Sequence, residues 1–105
     1  MNYYANSGER ERLIAGLREL ADFLTQSPQV PAPRWADVLV FPPRGTDAEM
    51  FAEIDLIAGH IGVTASRDDD TPTAHYAAAR RFGPVQYRAV AIPLAARADH
   101  SKEGE

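Results

Sequence analysis

Apolar residues recur every three or four positions in the first third of the chain, which predicts an amphipathic helix over residues 9–26. Asn6 and Glu9 have the spacing of a capping box at its start. Ser27-Pro28 ends the segment, because proline lacks the amide proton and restricts the residue before it. The apolar positions are Leu13, Ile14, Leu17, Leu20, Ala21 and Leu24.

A second capping box, Thr46 with Glu49, predicts another amphipathic helix over residues 47–60. Between the two helices, residues 38–41 form a short apolar run that predicts a strand. Four consecutive apolar residues leave no polar face, so we expect this strand to be central in its sheet. Trp35 precedes it; tryptophan is usually found in the core, but the sequence leaves open whether this one is buried or exposed at the start of the strand.

Two longer strands are predicted over residues 74–82 and 85–92, joined by a tight turn at Gly83-Pro84. A weak short strand precedes them at 63–67. A two-residue turn pairs Phe82 with Val85, Arg80 with Tyr87, Ala78 with Ala89 and Tyr76 with Ala91 on one face. On the other face it pairs Arg81 with Gln86, Ala79 with Arg88, Ala77 with Val90 and His75 with Ile92.

The resulting order, α-β-α-β-β-β, predicts an α+β fold with two helices packed on one face of a four-stranded mixed sheet. The chain has 105 residues, 45% of them hydrophobic and 25% charged, which fits one ordinary globular domain. We place that domain at residues 1–98 and expect residues 99–105 to be a disordered polar tail.

Composition excludes several kinds of chemistry. The chain has no cysteine, so disulfides, thiolate nucleophiles and cysteine-ligated metals are absent. Asp68-Asp69-Asp70 with His75 could suit a hard cation, but such a cluster usually marks a solvated turn, and we predict no metal and no cofactor. No catalytic motif occurs, which favours a protein that is not an enzyme.

Residues 1–8 lack the pattern of a secretory signal, and no apolar run approaches membrane-spanning length, so we expect a cytoplasmic protein without a membrane partner.

Part of the chain, about residues 10–93, resembles a group of small actinobacterial proteins found on chromosomes and in phages. The resemblance lies in Leu13 to Leu24, in Pro28, Val30, Pro31 and Pro33, and in Arg80 to Val85. It implies a bacterial cytosolic setting with a mobile-element history and supplies no catalytic residue. Relatives in this group often continue beyond the hairpin, whereas the sequence here stops shortly after it.

The predicted hairpin concentrates positive charge although the chain has a net charge of −4. Residues 74–93 carry Arg80, Arg81 and Arg88 with no acidic residue, and Tyr87 lies among them. Arginine and tyrosine dominate protein-binding hot spots, so we predict a non-enzymatic accessory or adaptor protein that binds a partner through these four residues. A nucleic-acid-binding ribbon is the alternative, an enzyme without a recognisable motif is the second alternative, and a plain solvated sheet face would give the same pattern.

The same hairpin is rich in alanine, which leaves both of its faces thinly filled. A thin face can accept a helix of the same chain, a second copy or a partner, so we also predict self-association as a homodimer.

Overall fold

The computed structural model describes residues 4–96, and it divides into two compact units at the boundary between Arg34 and Trp35. The first unit holds helix α1 (Ser7–Gln26) and the proline-rich segment after it. The second holds helix α2 (Asp47–Ile61) and the sheet. The sequence predicted one unit over residues 1–98, and the predicted tail at 99–105 lies outside the described residues.

Helix α1 has the predicted capping box. The Glu9 amide donates to the Asn6 carboxamide oxygen at 2.8 Å, and the Asn6 amide donates to the Glu9 carboxylate at 3.0 Å. At the other end the Ser27 amide donates to the Phe23 carbonyl at 2.9 Å, just before Pro28. Local signals therefore define both ends of α1, but no residue of this helix is buried.

The sheet has four strands in the order β1-β4-β3-β2, with β1 parallel to β4 and the other pairs antiparallel. The strands are β1 (Ala36–Val40), β2 (Ser66–Arg67), β3 (Tyr76–Phe82) and β4 (Val85–Ala91). The predicted α+β class, the mixed sheet and the order of elements are confirmed.

The predicted central position of β1 is wrong, because β1 lies at one edge of the sheet. Strand β4 takes the inner position, since it pairs with β3 through the hairpin and with β1 on its other side. Leu39 is in register with Arg88, on the side of the sheet away from α2, and is 49% exposed; Phe41, just after the strand, is 46% exposed. Trp35, whose burial the sequence left open, is 65% exposed.

The core forms between α2 and the face of β3 and β4 that α2 covers. Helix α2 contributes Met50, Ile54 and Ala58, and the strands contribute Ala78, Ala89 and Ala91. Alanines on the strands let the larger side chains of the helix approach the sheet closely. Helix α2 thus packs on the sheet as predicted, while α1 supplies none of the buried residues.

The start of α2 allows a direct test of its cap. The Thr46 amide donates to the Glu49 carboxylate at 2.9 Å, and the Glu49 amide donates to the Thr46 hydroxyl at 3.1 Å. We expect Thr46→Ala to lower the free energy of unfolding by about 1 kcal/mol, measured by urea denaturation, because one helix amide loses its acceptor. Thr64→Ala, an exposed threonine outside any helix or strand, is the control and should change it by less than about 0.5 kcal/mol. Equal effects of the two variants would contradict the capping role.

The same hydrogen bonds affect the titration of Glu49. The bond from the Thr46 backbone, followed by the bond from its side chain, lowers the pKa of Glu49 below the ordinary value of 4.5. A carboxyl with a lowered pKa in the folded state stabilises that state above its ordinary pKa. This contribution is lost as the pH falls below about 4.5 and through the lowered pKa.

Candidate functional site

Strands β3 and β4 form the predicted hairpin in the predicted register, from Phe82 opposite Val85 to Tyr76 opposite Ala91. Gly83 adopts a φ of 62°, a left-handed conformation that glycine takes without steric cost. The turn therefore fixes the register, and the register decides on which face of the sheet each side chain of the hairpin lies.

The register separates the four predicted contact residues into two pairs. Arg80 lies opposite Tyr87 and shares the α2 side of the sheet with Ala78 and Ala89, because side chains alternate along a strand. Arg81 and Arg88 point to the other side. The hairpin thus does not bring all four side chains onto one surface.

On the side away from α2, arginines have acidic neighbours. The Arg88 guanidinium lies 3.5 Å from the Asp68 carboxylate, in a half-exposed ion pair. Asp37 of β1 is in register with Gln86, which in turn lies opposite Arg81. One of the three arginines, Arg88, is therefore paired with an acid in the fold, because the chain after β2 brings Asp68 to it.

On the α2 side, the end of the hairpin extends beyond the core. Phe82 and Val85, which form the last pair before the turn, are 57% and 42% exposed. This pair lies four residues, about 13 Å, along the strands from the buried pair Ala78 and Ala89. The predicted register could have indicated this exposure, because a core centred on Ala78 and Ala89 leaves the residues next to the turn uncovered.

Arg80 lies on the same face, and Trp35 lies at the start of β1 next to the turn. The Arg80 guanidinium carbon lies 5.1 Å from the centre of the Phe82 ring, a cation–π distance. The Ala36 amide donates to the Pro84 carbonyl at 3.1 Å, which holds the start of β1, next to Trp35, against the turn. We call the following five residues the hairpin tip: Trp35, Arg80, Phe82, Val85 and Tyr87.

The other end of the same face is occupied by contacts to α2. The Tyr76 hydroxyl donates to the Asp55 carboxylate, and its ring lies 4.8 Å from that of Phe51. The hydrogen bond to Asp55, with some burial, raises the pKa of Tyr76 above 10.0. Arg67 covers the Phe51 ring at 5.3 Å. These groups bind α2 to the sheet and are not part of the candidate surface.

The acidic triplet is a turn held by its own side chains. Asp69 accepts hydrogen bonds from the Thr71 amide at 2.8 Å and the Thr71 hydroxyl at 2.5 Å. The side-chain bond, followed by the backbone bond, lowers the pKa of Asp69. Asp68 binds Arg88. Within residues 4–96, no three histidine, aspartate or glutamate side chains come together in a way that could hold a metal ion.

Neither helix, as far as residues 4–96 show, combines the length and the apolar character needed to cross a membrane.

Comparison with known proteins gives no match to a family model, to a curated protein or to a solved structure.

Proposed function

We propose that this protein is a non-enzymatic adaptor that binds another protein through the hairpin tip. The observation that carries the proposal is the group of exposed large side chains at the turn end of the sheet, with Arg80 stacked on Phe82 and Trp35 at the adjoining start of β1. Tryptophan, tyrosine and arginine are the residues enriched in protein-binding hot spots. Arg80 and Tyr87 of the predicted set belong to this surface, whereas Arg81 and Arg88 lie on the other face of the sheet.

The charge of the tip favours a protein over a nucleic acid. Phosphate recognition needs several cations with no acidic neighbours, and its affinity comes from the counterions that they release. The tip has one guanidinium, and Arg88 across the sheet is paired with Asp68. A protein segment with an apolar side chain for Phe82 and Trp35 and a carboxylate for Arg80 matches the tip better.

The experiment immobilises the full chain and compares proteins captured from a host-cell lysate by wild type and by two double variants. Arg80→Ala/Phe82→Ala removes the stacked pair from the tip. Arg81→Ala/Phe41→Ala removes the same two residue types from exposed positions outside it. We expect the tip variant to reduce capture of a specific protein at least tenfold, as loss of a hot spot does, and the control to retain it.

The melting temperature of both variants checks that each remains folded. Equal capture by both would overturn the proposal, as would capture that disappears after nuclease treatment and falls steeply with salt, because that result indicates nucleic-acid binding.

A further inference from the structure

The surface with the most exposed apolar side chains is not the hairpin tip but one stripe of α1. Five large side chains of this helix are each between 40% and 53% exposed, and the helix buries none of its residues. They are Leu13, Ile14, Leu17, Leu20 and Phe23. An exposed apolar stripe of this length is typical of a helix that packs against another helix.

We propose that a second copy of α1 covers this stripe in antiparallel orientation, so that the protein is a homodimer. Leu13, Leu17, Leu20 and Leu24 follow the alternating spacing of four, three and four that forms a two-helix seam. In an antiparallel pair centred between Leu17 and Leu20, Leu13 lies against Leu24 of the second copy, and Leu17 against its Leu20. All four layers of the seam are then leucine on leucine.

The residues beside the seam fit the antiparallel arrangement by size. Gly16 and Phe23 occupy equivalent flanking positions, and the antiparallel pair places Phe23 of one copy over Gly16 of the other. The space is available, because a Cβ atom built on Gly16 would meet no atom within 4 Å. On the other flank, Ile14 lies against Ala21 of the second copy. On both flanks a large side chain thus faces a small one, and the two-fold symmetry of the dimer repeats each of these contacts.

Charge also favours the antiparallel pair. Arg10 lies three residues before Leu13 and extends the seam by one layer. A parallel dimer would place the Arg10 side chains of the two copies against each other. The antiparallel dimer places it beside Ser27 of the second copy, the residue that caps the C-terminal end of α1. That end carries partial negative charge, and the last turn of α1 has no basic residue of its own. Arg10 of the second copy supplies the missing cation.

The charged residues of α1 that follow Arg10 lie away from the seam, so the pairing would not remove them from water. These residues are Glu11, Arg12, Arg18, Glu19 and Asp22.

Sedimentation equilibrium of the full chain over roughly 1–200 µM tests the dimer. We expect a mass near twice 11.5 kDa at the upper concentrations and a shift toward the monomer on dilution. Leu17→Glu, which puts a carboxylate into the seam, should raise the dissociation constant roughly 100-fold. Ala15→Glu introduces the same group on the outer face of the same turn and should leave the dissociation constant within about twofold.

Circular dichroism should show equal helix content for the two variants at a concentration where both are monomeric, since both positions are exposed in α1. A monomer throughout the wild-type concentration range would overturn the proposal. A wild-type dimer that Leu17→Glu leaves intact would do so too.

Orientation is tested by single cysteines, which are unique because the chain has none. The antiparallel seam predicts that a mixture of Leu13→Cys and Leu24→Cys proteins forms a disulfide-linked heterodimer on mild oxidation, while each protein alone does not. Efficient linkage of Leu13→Cys to itself would show a parallel pair and overturn the assignment.

Discussion

Replacing Ile54 by alanine should lower the free energy of unfolding of the second unit by about 2–5 kcal/mol. Ile54 is 0% exposed and lies on the side of α2 that packs against the alanines of β3 and β4. The substitution removes three carbons from a site whose neighbours include the fixed strand backbone, so the cavity can collapse only in part. Native proteins are stable by only about 5–15 kcal/mol, so a loss of this size removes a large fraction of the stability.

Urea denaturation followed by far-ultraviolet circular dichroism measures the effect, and Leu56→Ala is the matched control. Leu56 lies two residues further along α2 and is 58% exposed, so its truncation should change the free energy by less than about 0.5 kcal/mol. If Ile54→Ala leaves too little folded protein to measure, Ile54→Val should show a smaller loss of about 0.5–1.5 kcal/mol. Comparable losses for Ile54→Ala and Leu56→Ala would show that α2 does not pack as described.

Enlarging a buried alanine should also destabilise the protein. Ala78 is buried opposite Ala89, directly under α2, whereas Ala79 is half-buried on the other side of the sheet. We expect Ala78→Leu to lower the free energy of unfolding by about 1–3 kcal/mol, because three added carbons must displace the helix or adopt a strained rotamer.

Ala79→Leu is the control, since it adds the same atoms to the next residue of the same strand but directs them to the face opposite α2. It should change the stability by less than about 0.5 kcal/mol, measured in the same urea titration. A greater loss from Ala79→Leu than from Ala78→Leu would indicate that the two faces of β3 are assigned the wrong way round.

The features that the sequence predicted well depend on interactions between near neighbours. Both capping boxes join residues three positions apart, and Ser27-Pro28 ends α1 by the chemistry of proline itself. The hairpin register follows from a two-residue turn with glycine at its first position. For such features, a short window of sequence contains all the interacting groups.

The features that it predicted wrongly depend on which distant segments meet. Residues 38–41 are continuously apolar whether their strand is central or at an edge, so only the pairing of β1 with β4 decides that Leu39 and Phe41 stay exposed. Asp68 and Arg88 are far apart in sequence, so the pairing of Arg88 with an acid could not be read from the charge of residues 74–93.

Helix α1 shows what hydrophobic periodicity alone can and cannot predict. The spacing of its leucines correctly predicts an amphipathic helix, but periodicity indicates which side of a helix is apolar and not what covers that side. A self-complementary stripe, with Gly16 facing Phe23 in an antiparallel pair, satisfies the same periodicity.

The position of β1 also bears on aggregation. An apolar edge strand offers unpaired amides and carbonyls to other chains and is a common starting point for fibres. Strand β1 has only five residues, with Pro33 shortly before it and Pro42-Pro43 after it. Proline has no amide proton to donate, so an intermolecular ladder on this edge would stop after a few rungs. The prolines that enclose β1 therefore act as gatekeepers against growth of the sheet from one molecule to the next.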